Sequence, residues 1–442
     1  MREIDLDEGI EGALDALHAD RLALLCGAGL SIAAPSNLPG AAQLASQAKR
    51  KYDSLYGIGR DPLPSGIEEQ AEFFFRRGQL GTFYLRTLID PHAFAGPPNA
   101  GHTAIADLLL VRAIQTAVST NVDTLIETAG MLLLGKVGVG IERAPVAALA
   151  PDISPLLKIH GCWALDPDNT LWAPGQLAAE PVASRIQGNK EWLRERLFDR
   201  DLIIVGYFTD WDYLNGVLEQ TLGEVRPSSV IIVDLSSTAE LQAKAPVLYE
   251  LGTRARVNFF HVRISGTIFL ERLRLEFSRA FVRRLLHAGA VAYENRKGVP
   301  VDPAWLEPPA IGVDDFWRVR RDLEGRVPNH PARDRAPPEE PVLGLMLLEL
   351  RASGATEDGP YWLLSGRRIR VLRTPNQLLH LVQDAFSREA PPITAPDIII
   401  AVGAEPSALP PHIVRGATTP SIARGSAGRW LTRQEALAEF GL

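Results

Sequence analysis

Short, mainly apolar runs recur along the first 290 residues, at Leu22–Leu25, Ile114–Val118, Leu156–Ile159 and Leu202–Val205. Their apolar residues dominate without strict alternation, as expected of strands buried on both faces in a parallel sheet. Between them the period lengthens to that of a helix. Leu6, Ile10, Leu14 and Leu17 fall on one face of residues 6–18, ahead of a strand at Arg21–Cys26. Residues 66–110 show no strand pattern; 67–77, 80–89 and 102–110 all read as helices, an insertion placed to cap whatever the sheet presents. Strand and helix then alternate through 123–134, 156–160, 191–198, 201–206, 211–222, 230–234 and 257–262, and a long helix at 269–288 closes the set. This alternation predicts an α/β fold, a Rossmann-like doubly wound parallel sheet with a helical insertion at about 66–110.

The pattern changes beyond residue 290. Glu324–Pro341 holds five prolines among charged residues and has no periodicity, so 291–340 is expected to be a linker or extended wrap. Residues 341–442 read as a small C-terminal α/β module: strand-like at Val342–Arg351 and Tyr361–Arg373, helical at Asn376–Phe386, a strand at Ile398–Val402 and a last helix at Thr432–Phe440. No repeat and no motif marks it, and its expected role is partner docking or oligomerisation.

Composition excludes more than it assigns. At 46% hydrophobic and 22% charged residues the 442-residue chain is an ordinary globular one. No run approaches a membrane span, and Met1-Arg2-Glu3-Ile4-Asp5 is unlike a basic signal sequence, so a cytoplasmic protein without membrane contact is expected. A net charge of −7 with both signs scattered gives no general attraction for nucleic acid, and Arg283-Arg284 and Arg367-Arg368-Ile369-Arg370 read as solvated faces. Only two cysteines occur, Cys26 and Cys162, too few for a disulfide framework or a four-cysteine zinc module. Both read as small buried hydrophobes, and no metal site is expected.

Four polar segments stand where strands should end: Gly27-Ala28-Gly29-Leu30-Ser31, Ser119-Thr120-Asn121-Val122-Asp123, His160-Gly161 and Gly206-Tyr207. The carboxyl ends of parallel strands face one crevice, so the four should converge on one ligand. Gly27, Ala28 and Gly29 would let backbone approach a phosphate, with the next helix adding its positive end, although such a turn is often only a tight turn and Ser31 is equally a helix cap. Asn121 and Asp123 place an amide and a carboxylate two residues apart; the bland reading is a turn residue and a helix cap. For His160 the bland reading is a satisfied core histidine, against which stands its place before Gly161.

In this order, Gly-Ala-Gly-x-Ser, then Thr120-Asn121-Val122-Asp123-x-Leu-x-Glu-x-Ala-Gly130, then His160-Gly161, then Gly206-Tyr207, the segments resemble the sirtuin family of NAD-dependent enzymes over about residues 10–290. The resemblance implies that 1–290 is an NAD-binding catalytic domain. It implies phosphates on Gly27, Ala28, Gly29 and Ser31, with Thr120 beside them. Asn121 would hold the ribose and the attacking nucleophile, and Asp123 the nicotinamide carboxamide. His160 would act as base. Gly206 and Tyr207 would lie close to the dinucleotide, and Asp234, where the family more often has an amide, would accept from the adenosine ribose.

The departures are as telling. The family's proline-aspartate-phenylalanine-arginine run is replaced by Leu38-Pro39-Gly40-Ala41, its serine after the glycine turn by Phe208, and Cys162–Arg200 offers one cysteine and no histidine for its zinc module. NAD chemistry without an acyl-lysine groove is similar to the sirtuin-like effectors of prokaryotic antiviral defence. That implies an NAD hydrolase releasing nicotinamide and ADP-ribose, without zinc, as a homo-oligomer controlled by an activating partner such as a helicase-like ATPase or an Argonaute encoded nearby. The alternatives are a non-catalytic NAD- or ADP-ribose-binding module and an NAD-dependent protein deacylase.

Overall fold

The computed structural model describes residues 1–57, 61–206, 214–216, 218–219, 229–254, 258–325, 339–373, 396–403 and 429–442. Tyr207, the expected helix at 376–386 and most of that at 211–222 lie outside them. The chain divides into two units, one of residues 1–131 and 136–273 and one of 132–135 and 274–442.

The first unit is built on an eight-stranded sheet of β1 (Arg2–Ile4), β2 (Leu22–Cys26), β3 (Thr116–Ser119), β4 (Gly138–Gly140), β5 (Pro155–Lys158), β6 (Asp201–Val205), β7 (Ser229–Asp234) and β8 (Asn258–Arg263), in the spatial order β1-β8-β7-β6-β2-β3-β5-β4. Every neighbouring pair is parallel. Every residue of β2, β3, β5 and β6 is buried, the physical counterpart of their mainly apolar runs. β1 and β4 escape a sequence reading because each is three residues long and β4 is Gly-Val-Gly. The first helix, Leu6–His18, starts where Asp5 accepts from the Glu8 amide at 2.8 Å. After β2 the chain moves outward through β3 to β5 and β4, and then returns to the other flank of β2 as β6. The direction of winding therefore reverses between β2 and β6, and a crevice opens beyond their carboxyl ends. Helices Ala41–Tyr56 and Ile67–Phe75, a π-helix at Leu80–Leu88 and helix Ala100–Leu110 form the insertion, with an aromatic core around Tyr52, Phe74 and Tyr84.

The second unit corrects three expectations. Val342–Arg351 is not a strand but the body of a helix, Glu340–Ala352, in which every residue from Leu343 to Leu350 is buried. A helix enclosed on all sides loses its polar face, and a short apolar run then cannot be told from a strand. The expected linker holds helix Val313–Glu324, whose Phe316, Trp317 and Leu323 are buried. Arginines interleaved with these apolar residues hide the pattern, because they too are buried: Arg320 pairs with Glu324 at 3.3 Å, and Asp322 of the same helix pairs with the buried Arg370 at 2.6 Å. Tyr361–Arg373 is a hairpin of β10 (Tyr361–Leu364) and β11 (Arg367–Arg373), turning at Ser365-Gly366 with φ of 52° and 74°. With β9 (Thr356–Asp358), β12 (Ile398–Val402) and β13 (Arg429–Thr432) the hairpin forms a five-stranded sheet, β13-β12-β11-β10-β9.

Candidate functional site

The crevice between β2 and β6 is closed by two glycines in backbone contact. The Gly29 amide donates to Gly206 O at 3.0 Å, and a Cβ on Gly29 would stand 2.9 Å from Gly206 Cα. Gly206 has φ +58°, and a Cβ there would stand 2.7 Å from Leu30 N. These glycines are therefore required by each other. The helix after the turn is only Gly29–Ile32, and the amides of Gly27, Gly29, Leu30 and Ser31 all donate within the protein. One helical turn has little dipole and four of the five amides donate within the protein, so what this turn offers a ligand is close approach of small residues rather than a row of free N–H groups. Ser31 lies inside that turn and is not its cap.

Ser31 is instead the hub of a buried network. Its hydroxyl donates to Asp123 Oδ2 at 2.8 Å, accepts from Asn121 Nδ2 at 3.0 Å and lies 3.1 Å from His102 Nε2. His102 Nδ1 accepts from the Asn99 amide at 3.2 Å, so the imidazole proton is on Nε2 and points at Ser31. With its proton given to Asp123 and both lone pairs engaged, the hydroxyl is saturated. Asp123 also caps the following helix, Oδ1 accepting from the Leu125 amide at 3.1 Å, as the bland reading of this residue expects. Asn121 is 6% exposed, and its Oδ1 has no hydrogen-bond partner among the described residues. A buried amide oxygen left unpaired costs about 1–3 kcal/mol, a cost that a hydroxyl-bearing ligand would remove.

Asn121 opens on a cavity of about 380 Å³, which also brings together Gly27, Ala28, Gly29, Ser31, Thr120, Asp123, His160 and Gly206. Its remaining walls are largely apolar and include Phe94 and Trp172, whose rings lie 5.7 Å apart. The turn that carries His160 is fixed on both sides: the Leu171 amide donates to His160 O at 2.7 Å, and Gly161, at φ +97°, packs so that a Cβ would stand 3.1 Å from Thr170 Cα. Among the described residues no three His, Cys, Asp or Glu side chains gather as a metal-binding group. Asp234 ends β7, accepts from the Ser236 amide at 2.7 Å and does not line this cavity.

Two histidines of the site are held neutral. Burial, reinforced by the Arg185 charge, pushes His160 down to about 4; burial, opposed by the Asp123 charge, does the same to His102. Folded values below the ordinary 6.5 mean that the unfolded chain binds the extra protons between pH 6.5 and 4. The stability each histidine contributes, roughly 3 kcal/mol, is therefore complete above about pH 6.5 and is lost as the pH falls towards 4. Urea midpoints measured from pH 7 to pH 4 should fall over this window, and His160→Ala should flatten part of the fall. A midpoint that does not move in the wild type would show that neither imidazole is buried neutral.

Sequence reasoning missed His102, Lys158, Phe94 and Trp172. Only His102 carried a local signal, the Asn99–His102 pair that caps helix Ala100–Leu110; the others are brought in by the tertiary structure. No family model and no curated protein matches the chain. Among solved structures, a Sir2 homologue in complex with NAD aligns at 16% identity and a TM-score of 0.36, covering 62% of this chain and 94% of that one. Sir2 with a p53 peptide and NAD+ aligns at 15% and 0.33, covering 61% and 98%, and Sir2Tm bound to a propionylated peptide at 17% and 0.31, covering 61% and 98%. At these values the likenesses carry no weight for the chemistry, which rests on the residues above.

Proposed function

We propose that the first unit binds NAD in the crevice beyond β2 and β6 and hydrolyses the bond between nicotinamide and ribose. The observation that carries this reading is the buried Asn121 Oδ1, without a partner among the described residues, in one cavity with the neutral His160 imidazole. An amide oxygen that needs a donor suits a ribose hydroxyl, and a histidine that is neutral at pH 7 is in the form that can accept a proton. Asp123, fixed by Ser31 and by its helix, would face the carboxamide of the leaving nicotinamide. Gly27, Ala28 and Gly29 would lie along the diphosphate, with Thr120 and Gly206 flanking it; for Tyr207, outside the described residues, and Asp234, off this cavity, a role at the dinucleotide is supported by the sequence resemblance alone. As the bond from ribose C1′ to the pyridinium nitrogen breaks, its electron pair neutralises the nicotinamide ring. Water adds at C1′ and gives its proton to His160, leaving ADP-ribose.

An antiviral role through NAD depletion, and control by homo-oligomerisation or by a partner ATPase or Argonaute, extend this reading and are supported by the sequence resemblance alone. The test is chromatography of NAD incubated with purified protein, with and without an acetylated peptide. Nicotinamide and free ADP-ribose without peptide are expected. Nicotinamide released only with the peptide would make the protein a deacylase, and binding of NAD without release would make it a binding module.

A further inference from the structure

Two residues before His160, at the end of β5, Lys158 is 1% exposed, where an ammonium is costly unless every proton is satisfied. It donates to the main-chain oxygen of Asp123, to Glu127 Oε1 at 2.9 Å and to Cys162 Sγ at 3.3 Å. Three protons thus meet three acceptors on three separate stretches of chain: the corner bearing Asn121 and Asp123, helix Leu125–Leu132, and the turn that follows His160. Burial disfavours the charge, but Glu127, then Cys162 and Asp123, outweigh it and hold the pKa above the ordinary lysine value, so the clamp is ionised throughout the working range.

A lysine needed only to fill the core would be replaced without loss by an apolar chain of equal length. A lysine needed only to neutralise Glu127 could meet that carboxylate nearer the surface, since the Glu127 side chain is 18% exposed. Neither explains the donation to the Asp123 carbonyl, which spends an ammonium proton on the peptide that sets the direction of the Asp123 side chain. The Trp163 amide ties the same two segments, donating to Val122 O at 2.9 Å. That backbone bond fixes their spacing; the ammonium, reaching Asp123 and Cys162 from one point, adds a constraint on their rotation.

We propose that Lys158 is a positioning residue for the reaction above: it holds the Asn121–Asp123 corner in register with the His160 turn, so that the groups facing the nicotinamide, the ribose and the proton-accepting imidazole act on one substrate geometry. The role rests on the NAD-cleaving reading of the site, and the experiment separates the two. Lys158→Met keeps the length of the side chain and removes the ammonium. Glu127→Gln with Lys158→Met removes the partner charge as well, so that no unpaired charge is buried and folding is protected. Steady-state nicotinamide release by the full-length protein should show kcat lowered about 10- to 100-fold in both variants, as expected for misplacement on the ångström scale. KM for NAD should stay within about twofold, because binding common to ground and transition states is untouched. Recovery of wild-type kcat in the double variant would mean that Lys158 only neutralises Glu127 and would overturn the proposal. So would an unchanged kcat in Lys158→Met, or a rise in KM without a fall in kcat. A wild-type protein that releases no nicotinamide would overturn the reading of the site itself and this role with it.

Discussion

Asn121→Ala should reduce NAD cleavage by roughly three orders of magnitude, the loss expected when a preorganised polar group at the reacting centre is deleted. The amide has two faces. Its Nδ2 donates to Ser31 Oγ at 3.0 Å, and its Oδ1 is a buried acceptor without a partner among the described residues, the atom proposed to meet the ribose. Alanine removes both, yet only the second bears on the reaction. Losing the bond to Ser31 costs about 1 kcal/mol, a few degrees of melting temperature. His160→Ala should cost about 10²- to 10⁴-fold in rate, as for removal of a general base. It should differ from Asn121→Ala in a second measurement, because it also removes a histidine that destabilises the fold in acid. Nicotinamide release and thermal melting on the same samples check both variants. Wild-type turnover in either would remove that residue from the catalytic role, and a melting temperature lowered by tens of degrees would mean that the loss of rate reports unfolding.

The site was legible where chemistry and strand ends coincide in sequence. Asn121, Asp123, His160 and the two glycine turns each follow a mainly apolar run, and a parallel sheet gathers such ends in one place whatever the details. His102 and Lys158 were not legible for opposite reasons. His102 reaches Ser31 from a helix of the insertion, 71 residues along the chain, and no local period encodes that contact. Lys158 interrupts an apolar run with a charge, and its meaning is set by the Asp123 carbonyl and Cys162, which only the folded turn brings to it. The second unit was read less well because its core violates the usual correspondence of polarity with exposure. Arg320 and Arg370 are buried as ion pairs and the helix Glu340–Ala352 is buried on every side from Leu343 to Leu350, Glu349 included, so neither the helical stripe nor the polar face could be seen. One consequence is practical: Phe281, Leu285, Phe316 and Leu323 share a core with Leu343, Ile369 and Ile400, so truncation near residue 331 would cut through that core. Point substitutions are the sounder probe of what the second unit does.

Gly344→Ala should be the most destabilising single-methyl change in the second unit. Gly344 lies where helix Glu340–Ala352 crosses helix Gly266–Lys297, and a Cβ placed on it would stand 1.8 Å from Leu285 O and 2.8 Å from Gly289 N. From the other side, a Cβ on Gly289 would stand 2.2 Å from Gly344 C. All of these are backbone atoms, which cannot turn aside as a flexible side chain would. The helices must separate, and the leucines on either side of Gly344, Leu343 and Leu345, lose their packing as they do. A cost above about 4 kcal/mol follows, in the range reached only when a core is forced apart. Gly12→Ala is the matched control. It also adds one methyl to a helix, Leu6–His18, but its Cβ would meet only Ile231 Cδ1, at 3.8 Å. There the substitution should be neutral or stabilise by up to about 1 kcal/mol through helix propensity. Urea unfolding followed by tryptophan fluorescence should show a transition lost or shifted far down in Gly344→Ala and unchanged in Gly12→Ala, with Trp317, Trp362 and Trp430 as the buried reporters of the second unit. Equal stability of the two variants would mean that the helices do not approach closely enough for Gly344 to be needed.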